Sequence, residues 1–188
     1  MDILDIFPTP IGVHENFITE PQRMELYDKI KSISHVKHDT IRGDGISTHT
    51  KQNMIDILGD DIQVRFKDCV LDYMDKFGLK RSLKLLNMWS NIQNKGSILR
   101  KHFHEGCVLS GAIYINVGDN SSITFHNPNP LMVYTERKNT NQYSDKTKIF
   151  VKDGSLLLFP SWLQHGDDDE TIDMDDRVVI SFNLVYEQ

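Results

Sequence analysis

The chain has 188 residues, enough for one domain with a helical appendage but not for two large ones. With 39% of residues hydrophobic and 26% charged it can bury a core, which excludes a disordered or fibrous chain. The formal charge of −6 is unevenly placed: residues 167–176, DDDETIDMDD, hold seven acids and no base, while residues 79–104 hold six Lys or Arg and no acid. No apolar run approaches the roughly 18 residues needed to cross a bilayer, and the acidic start lacks the basic region of a signal peptide. Cys69 and Cys107 do not form a disulfide framework, so a reducing, cytoplasmic setting is expected.

In chain order, ITEPQRMELYDKIKSI predicts a first helix, with Thr19 as N-cap, Glu20 and Pro21 in the first turn, and Met24, Tyr27, Ile30 and Ile33 at helical spacing. HDTIRGDGIST reads as loop. A second helix is expected over 52–77, where Ile62, Phe66, Val70, Tyr73 and Phe77 recur at three and four, with Gly59 a potential break and Gly78 a C-cap. From residue 83 the pattern turns to short segments of period near two: LKLLNMWSNIQ, SILRKHFH, VLSGAIYINV, SSITFHNP, KIFVKDG, SLLLFP and RVVISFNLVYE. Strands after helices predict an α+β chain whose second half, 83–188, is a β-sandwich or jelly roll, and whose residues 1–80 are mainly helical. The polar stretch 127–148 is long for a hairpin loop and is a candidate lid, with Tyr134, Arg137 and Lys138 as potential substrate contacts.

Of the eight histidines, His14, His35, His38, His49 and His126 read as surface or packing residues. His102 and His104 differ. On a strand, residues i and i+2 share a face, and two imidazoles converging on one point invite a divalent metal. His165 ends the apolar segment GSLLLFPSWLQH. Arg177 opens RVVISFNL, aligned with Val179, Ser181 and Asn183 on one face, and a charged Arg at the start of an apolar strand calls for a carboxylate partner.

The ordered set HFH, LSGAIYIN, FHNP, GSLLLFPSWLQH and RVVISFNL resembles the iron(II)- and 2-oxoglutarate-dependent oxygenases, most of all the subfamily of phages and marine bacteria, over residues 85–188, with IFPTPI at 6–11 similar to that subfamily's opening. The resemblance implies one domain, a double-stranded β-helix (jelly roll, cupin-like) with N-terminal helices packed on one sheet. It implies Fe(II) held by His102, His104 and His165, with His104 where the superfamily has a carboxylate. Glu105, brought in by a bulge, and a site with fewer protein ligands are the other readings of that departure. The resemblance also implies 2-oxoglutarate anchored by Arg177, with Ser181, Tyr114 and Asn91 as further contacts. O2 is then used to split the keto acid into succinate and CO2 while an unidentified substrate, a small molecule or a protein side chain, is hydroxylated. A cytoplasmic location follows, the host's if the chain is phage-encoded, with a homodimer left open.

Two other readings stay in view: a cupin-like three-His dioxygenase that uses no keto acid, which leaves Arg177 without a role, and a non-catalytic jelly-roll binding module. Trp89 and Trp162 read first as core residues, and Cys107 as a small core residue. The basic stretch 79–104 carries no nucleic-acid reader motif, so nucleic acid is not an expected partner. The acidic run 167–176 reads as a solvated connector at the barrel rim.

Overall fold

The structure is a computed structural model and describes residues 2, 7–49, 54–129 and 144–187. The candidate lid contacts Tyr134, Arg137 and Lys138 lie outside these residues. Helix α1 spans Glu20–Ser32 and starts as its sequence predicts. The Gln22 side chain accepts hydrogen bonds from the backbone N–H and the hydroxyl of Thr19, so the capping residue is tied to the first turn. The second helical stretch divides at Gly59 into a 3-10 turn, Ile55–Leu58, and α2, Asp60–Phe77, and Gly78 closes α2 in the left-handed conformation.

The strands are β1 (Gly12–His14), β2 (Ile41–Arg42), β3 (Gly45–Ser47), β4 (Leu83–Gln93), β5 (Ile98–Leu99), β6 (Leu109–Asn116), β7 (Ser122–His126), β8 (Lys146–Phe150), β9 (Leu156–Pro160) and β10 (Arg177–Tyr186). Six form one antiparallel sheet in the order β1-β9-β6-β10-β4-β3. Facing it, the pairs β2-β5 and β7-β8 are joined by single bridges from His102 to His165 and from His165 to Phe125. These bridges make one irregular second sheet. Two opposed sheets with helices on the outer face of the larger one are the double-stranded β-helix that the sequence predicts.

Strand alternation decides which residues meet the helices and which meet the other sheet. On β10, Val178, Ile180, Phe182 and Leu184 join the core under α1 and α2, together with Met88 and Ile92 of β4 and Ile113 and Ile115 of β6. Burial of each such side chain contributes about 1.5–3 kcal/mol. The alternate residues face the interior between the sheets. There Ala112, Tyr114, Val179 and Leu157 pack with Phe125 and Phe159 into a second apolar cluster. On the helix side of β6, Gly111 makes room for Phe182: a Cβ there would lie 2.4 Å from the Phe182 ring and 2.3 Å from the Leu157 carbonyl oxygen.

Candidate active site

The interior face holds a cavity of about 800 Å³. Part of its lining follows the register of β4 and β10. Gln93 pairs with Arg177 at one end, Asn91 with Val179 and Trp89 with Ser181 in the middle, and Asn87 with Asn183 at the other end. All of these residues line the cavity.

His102, His104 and His165 each offer a ring nitrogen within 4.8 Å of the others. The HFH segment is not a regular strand: paired backbone ends at Leu99, and His102 and His104 are held one at a time. His102 and His165 exchange backbone hydrogen bonds of 2.9 Å, and the His104 N–H donates to the Ser161 carbonyl at 3.0 Å. The side chains still converge, because residues i and i+2 of extended backbone share a face. Gly166, next to His165, has φ +83°, and a Cβ there would meet the carbonyl oxygens of Arg100 and Leu99 at 2.5 and 2.8 Å. That turn therefore sets the His165 ring against its partners.

The hydrogen bonds of two imidazoles fix their tautomers. Nδ1 of His102 donates to the Arg100 carbonyl at 2.7 Å, and Nδ1 of His165 donates to the Leu163 carbonyl at 3.0 Å. Each Nε2 is left with a lone pair directed at the cluster. Nε2 of His104 stands 3.3 Å from Nε2 of His165. Burial disfavours protonation at all three rings, reinforced at His104 and His165 by neighbouring imidazoles, and the His104 value falls to about 3. Three neutral imidazoles with converging ring nitrogens, two of them with lone pairs fixed toward the centre, fit a divalent cation. Glu105 is solvent-exposed in the following turn and is not one of the clustered residues, so the bulge that would bring it in is not formed.

Arg177 is only 6% exposed. Its Nη1 donates to Gln93 Oε1 at 3.0 Å and its Nε to Ser121 Oγ at 3.3 Å, and it makes no ion pair among the described residues. Burial pushes its guanidinium below the ordinary arginine value. The Tyr114 ring lies 5.9 Å from the guanidinium carbon, and the Tyr114 hydroxyl and Gln93 Nε2 are buried without hydrogen-bond partners. A buried cation beside two unmatched polar groups is costly unless an anion joins them. A dicarboxylate keto acid meets that demand.

Ser181 lies elsewhere. It accepts a hydrogen bond from Asn91 Nδ2 at 3.2 Å, four residues along β10 from Arg177. That separation corresponds to about 13 Å of strand. Val179 occupies the position nearer the guanidinium, so Ser181 and Asn91 line the span between Arg177 and the histidines.

Some residues that the sequence reads as surface, packing or unremarkable border the cavity. His38 and His49 line the cavity: their rings are 4.3 Å apart, His49 lies 4.9 Å from Trp89, and Trp89 lies 5.9 Å from His104. Gln93 and Ser121, the neighbours of Arg177, were also missed, although the period-two pattern of β4 placed Gln93 on the face of Trp89 and Asn91. Trp89 is buried yet forms cavity wall, whereas Trp162 is 51% exposed rather than core. Cys107 borders the cavity, half-buried, with its thiol pushed up by burial. His126 Nε2 donates to the Gly166 carbonyl and stands outside the triad.

The acidic run is not a free connector. Asp167 is buried against Lys146 at 2.5 Å, Glu170 pairs with Lys148 at 2.9 Å, and Asp173 pairs with Lys95 at 2.9 Å. Backbone bonds of 2.8 Å join Ile172 to Gly96 and Ser97. Part of this strap forms cavity wall, because basic side chains and paired backbone hold it there.

An inward-facing histidine cluster and a buried arginine inside a double-stranded β-helix define a non-haem metal oxygenase. Residues 87–183 match the sequence profile of the family described as "Putative 2OG-Fe(II) oxygenase", and the chain belongs to that family. No curated protein sequence matches it significantly. Among solved structures, a prolyl-4-hydroxylase from Pseudomonas putida is similar with TM-score 0.65 and 12% identity, covering 96% of this chain and 94% of that one. HygX from Streptomyces hygroscopicus, with nickel and 2-oxoglutarate bound, gives TM-score 0.62 and 12% identity, covering 95% and 83%. The viral collagen prolyl hydroxylase of Paramecium Bursaria Chlorella virus-1, in its 2OG complex, gives 0.59 and 10%, covering 93% and 94%. The protein is thus an Fe(II)- and 2-oxoglutarate-dependent dioxygenase that couples oxidative decarboxylation of the keto acid to hydroxylation of a substrate. No helix among the described residues is long and apolar enough to cross a membrane.

Proposed function

We propose that His102, His104 and His165 hold the iron, and that Arg177, Tyr114 and Gln93 receive the distal carboxylate of 2-oxoglutarate, with Asn91 and Ser181 flanking the span between. The observation that carries this assignment is the buried guanidinium of Arg177, which has no anionic partner among the described residues and sits beside two orphaned polar groups. Iron and keto acid, when bound, supply the oxidising chemistry, in which one oxygen atom of O2 enters a substrate C–H bond and the other enters succinate.

The chain's own residues do the rest. Arg177 supplies charge and a planar donor fork, and Tyr114 and Gln93 add donors that are already oriented and desolvated. The backbone carbonyls of Arg100 and Leu163 lock two imidazoles in the tautomer that presents Nε2. Val179, Phe159 and Ala112 keep the interior apolar and limit water around the reacting groups. The keto-acid-free reading leaves Arg177 unmatched, and a binding module has no use for three converging neutral imidazoles. The free thiols of Cys69 and Cys107 suit a cytoplasmic setting. The direct test is succinate formation from 2-oxoglutarate and Fe(II) in air. Tyr114→Phe should raise the KM for the keto acid by roughly five- to tenfold, the worth of one hydrogen bond. An unchanged KM would remove Tyr114 from the anchor.

A further inference from the structure

The two ends of the cavity differ in chemistry. At the Arg177 end the lining offers a buried cation and hydrogen-bond donors, with the exposed carboxylate of Asp119 near Ser121. At the Asn87 end it offers acceptors and ring faces. Asn87 Oδ1 is buried without a hydrogen-bond partner. His49 contacts His38 and Trp89 by its ring, but its ring nitrogens make no hydrogen bond among the described residues. Glu105, in the turn after His104, also lines the cavity and has no ion-pair partner among the described residues. The described lining contains just two Lys or Arg side chains, Arg177 at the far end and Lys148, which is paired with Glu170 at 2.9 Å. An unneutralised carboxylate, an orphaned amide oxygen and aromatic faces attract a cation and disfavour an anion.

We propose that the substrate oxidised by this protein carries a primary ammonium group, received between Trp89 and the Asn87 end by Asn87 Oδ1 and the rings of Trp89 and His49, with the exposed carboxylate of Glu105 at the cavity rim. The proposal rests on the assignment of iron to the three histidines, which puts the reacting position beside Trp89. An ammonium has three N–H donors for the acceptors and a compact charge for the ring faces. The same group occurs on free amino compounds and on protein lysine side chains, and the lining is complementary to either.

The test supplies the iron-loaded protein with 2-oxoglutarate, O2 and a set of probes that each carry a single primary ammonium: Nα-acetyl-L-lysine, n-pentylamine and N-acetylated peptides with one internal lysine, each beside a counterpart in which a methyl group replaces that ammonium. At least one ammonium probe should raise succinate release above the rate without substrate and yield a product one oxygen atom heavier. Its methyl counterpart should show a KM higher by about tenfold or more. Glu105→Gln should raise the KM for the active probe about two- to fivefold, as for an exposed ion pair. Activity confined to the free compounds identifies a small-molecule substrate, and activity confined to the peptides a protein one. The proposal is overturned if the methyl counterparts serve equally well, if Glu105→Gln leaves that KM unchanged, or if no ammonium probe stimulates a protein that forms succinate without substrate. Absence of that background succinate would instead overturn the iron and keto-acid assignment beneath it.

Discussion

Replacing Arg177 with Met should change stability and ligand affinity in opposite directions. Without ligand, Arg177 is a buried charge whose compensation among the described residues is two neutral hydrogen bonds, to Gln93 and Ser121. Met keeps most of the volume and removes the charge. The buried-charge cost that is lost outweighs two hydrogen bonds worth about 1 kcal/mol each. The ligand-free variant should therefore be as stable as the parent or more stable, by up to about 2 kcal/mol. Binding of 2-oxoglutarate should suffer the reverse. Truncating one partner of a buried, hydrogen-bonded charge pair costs about 2–5 kcal/mol, and 3 kcal/mol corresponds to roughly a hundredfold loss of affinity. Urea unfolding of the metal-free protein measures the first quantity, and calorimetric titration of the keto acid into the metal-loaded protein measures the second. A variant that loses several kcal/mol of stability yet binds 2-oxoglutarate normally would show Arg177 to be a structural residue and refute the reasoning.

Gly166→Ala places a Cβ against two carbonyl oxygens at a positive φ and should cost about 2–4 kcal/mol of unfolding free energy, with His165 displaced and Fe(II) affinity reduced; normal metal binding would contradict the role given to this turn. The triad also sets a pH dependence. Its folded-state values lie below the ordinary 6.5, so at lower pH the unfolded chain binds more protons. Stability of the metal-free protein should be level above about pH 7 and fall as pH drops through 6.5, by up to roughly 1.4 kcal/mol per unit for each imidazole, as followed by urea midpoints; a flat profile would show that the rings are not buried neutral. His104→Asp should keep Fe(II) binding and succinate formation by restoring the anionic ligand usual in such sites. His104→Leu should weaken Fe(II) by more than about tenfold in a chelator competition.

The fold was legible because its signals are local and periodic. Thr19, Gly59 and Gly78 mark helix ends by backbone chemistry that does not depend on the rest of the chain, and alternation along 83–93 and 177–186 separates helix-facing from cavity-facing residues. The clustering of the histidines was legible for a similar reason, since His102 and His104 share a face whether or not the segment is a ladder strand. Gln93, His38 and His49 were not. Their proximity to the site arises from the pairing of β4 with β10 and from the path of the chain before β3, both of which are tertiary. The acidic run was legible in part: Asp168, Asp169, Asp173 and Asp175 are exposed as a solvated connector requires, but sequence does not show the lysines that meet Asp167, Glu170 and Asp173 from β8 and from the turn after β4. Ser181 shared a face with Arg177 as expected, yet sharing a face fixes direction and not distance, and four residues of strand separate the two.

Iron and 2-oxoglutarate are proposed to meet in this cavity on these residues. Anaerobic absorption spectroscopy of the protein with Fe(II), before and after addition of 2-oxoglutarate, tests that assignment most directly. A weak visible charge-transfer band should form on addition of the keto acid, be lost in His165→Ala, and in Arg177→Met need roughly a hundredfold more 2-oxoglutarate. A wild-type protein that binds Fe(II) but gives no band, or a band whose titration is the same in Arg177→Met, would contradict the assignment.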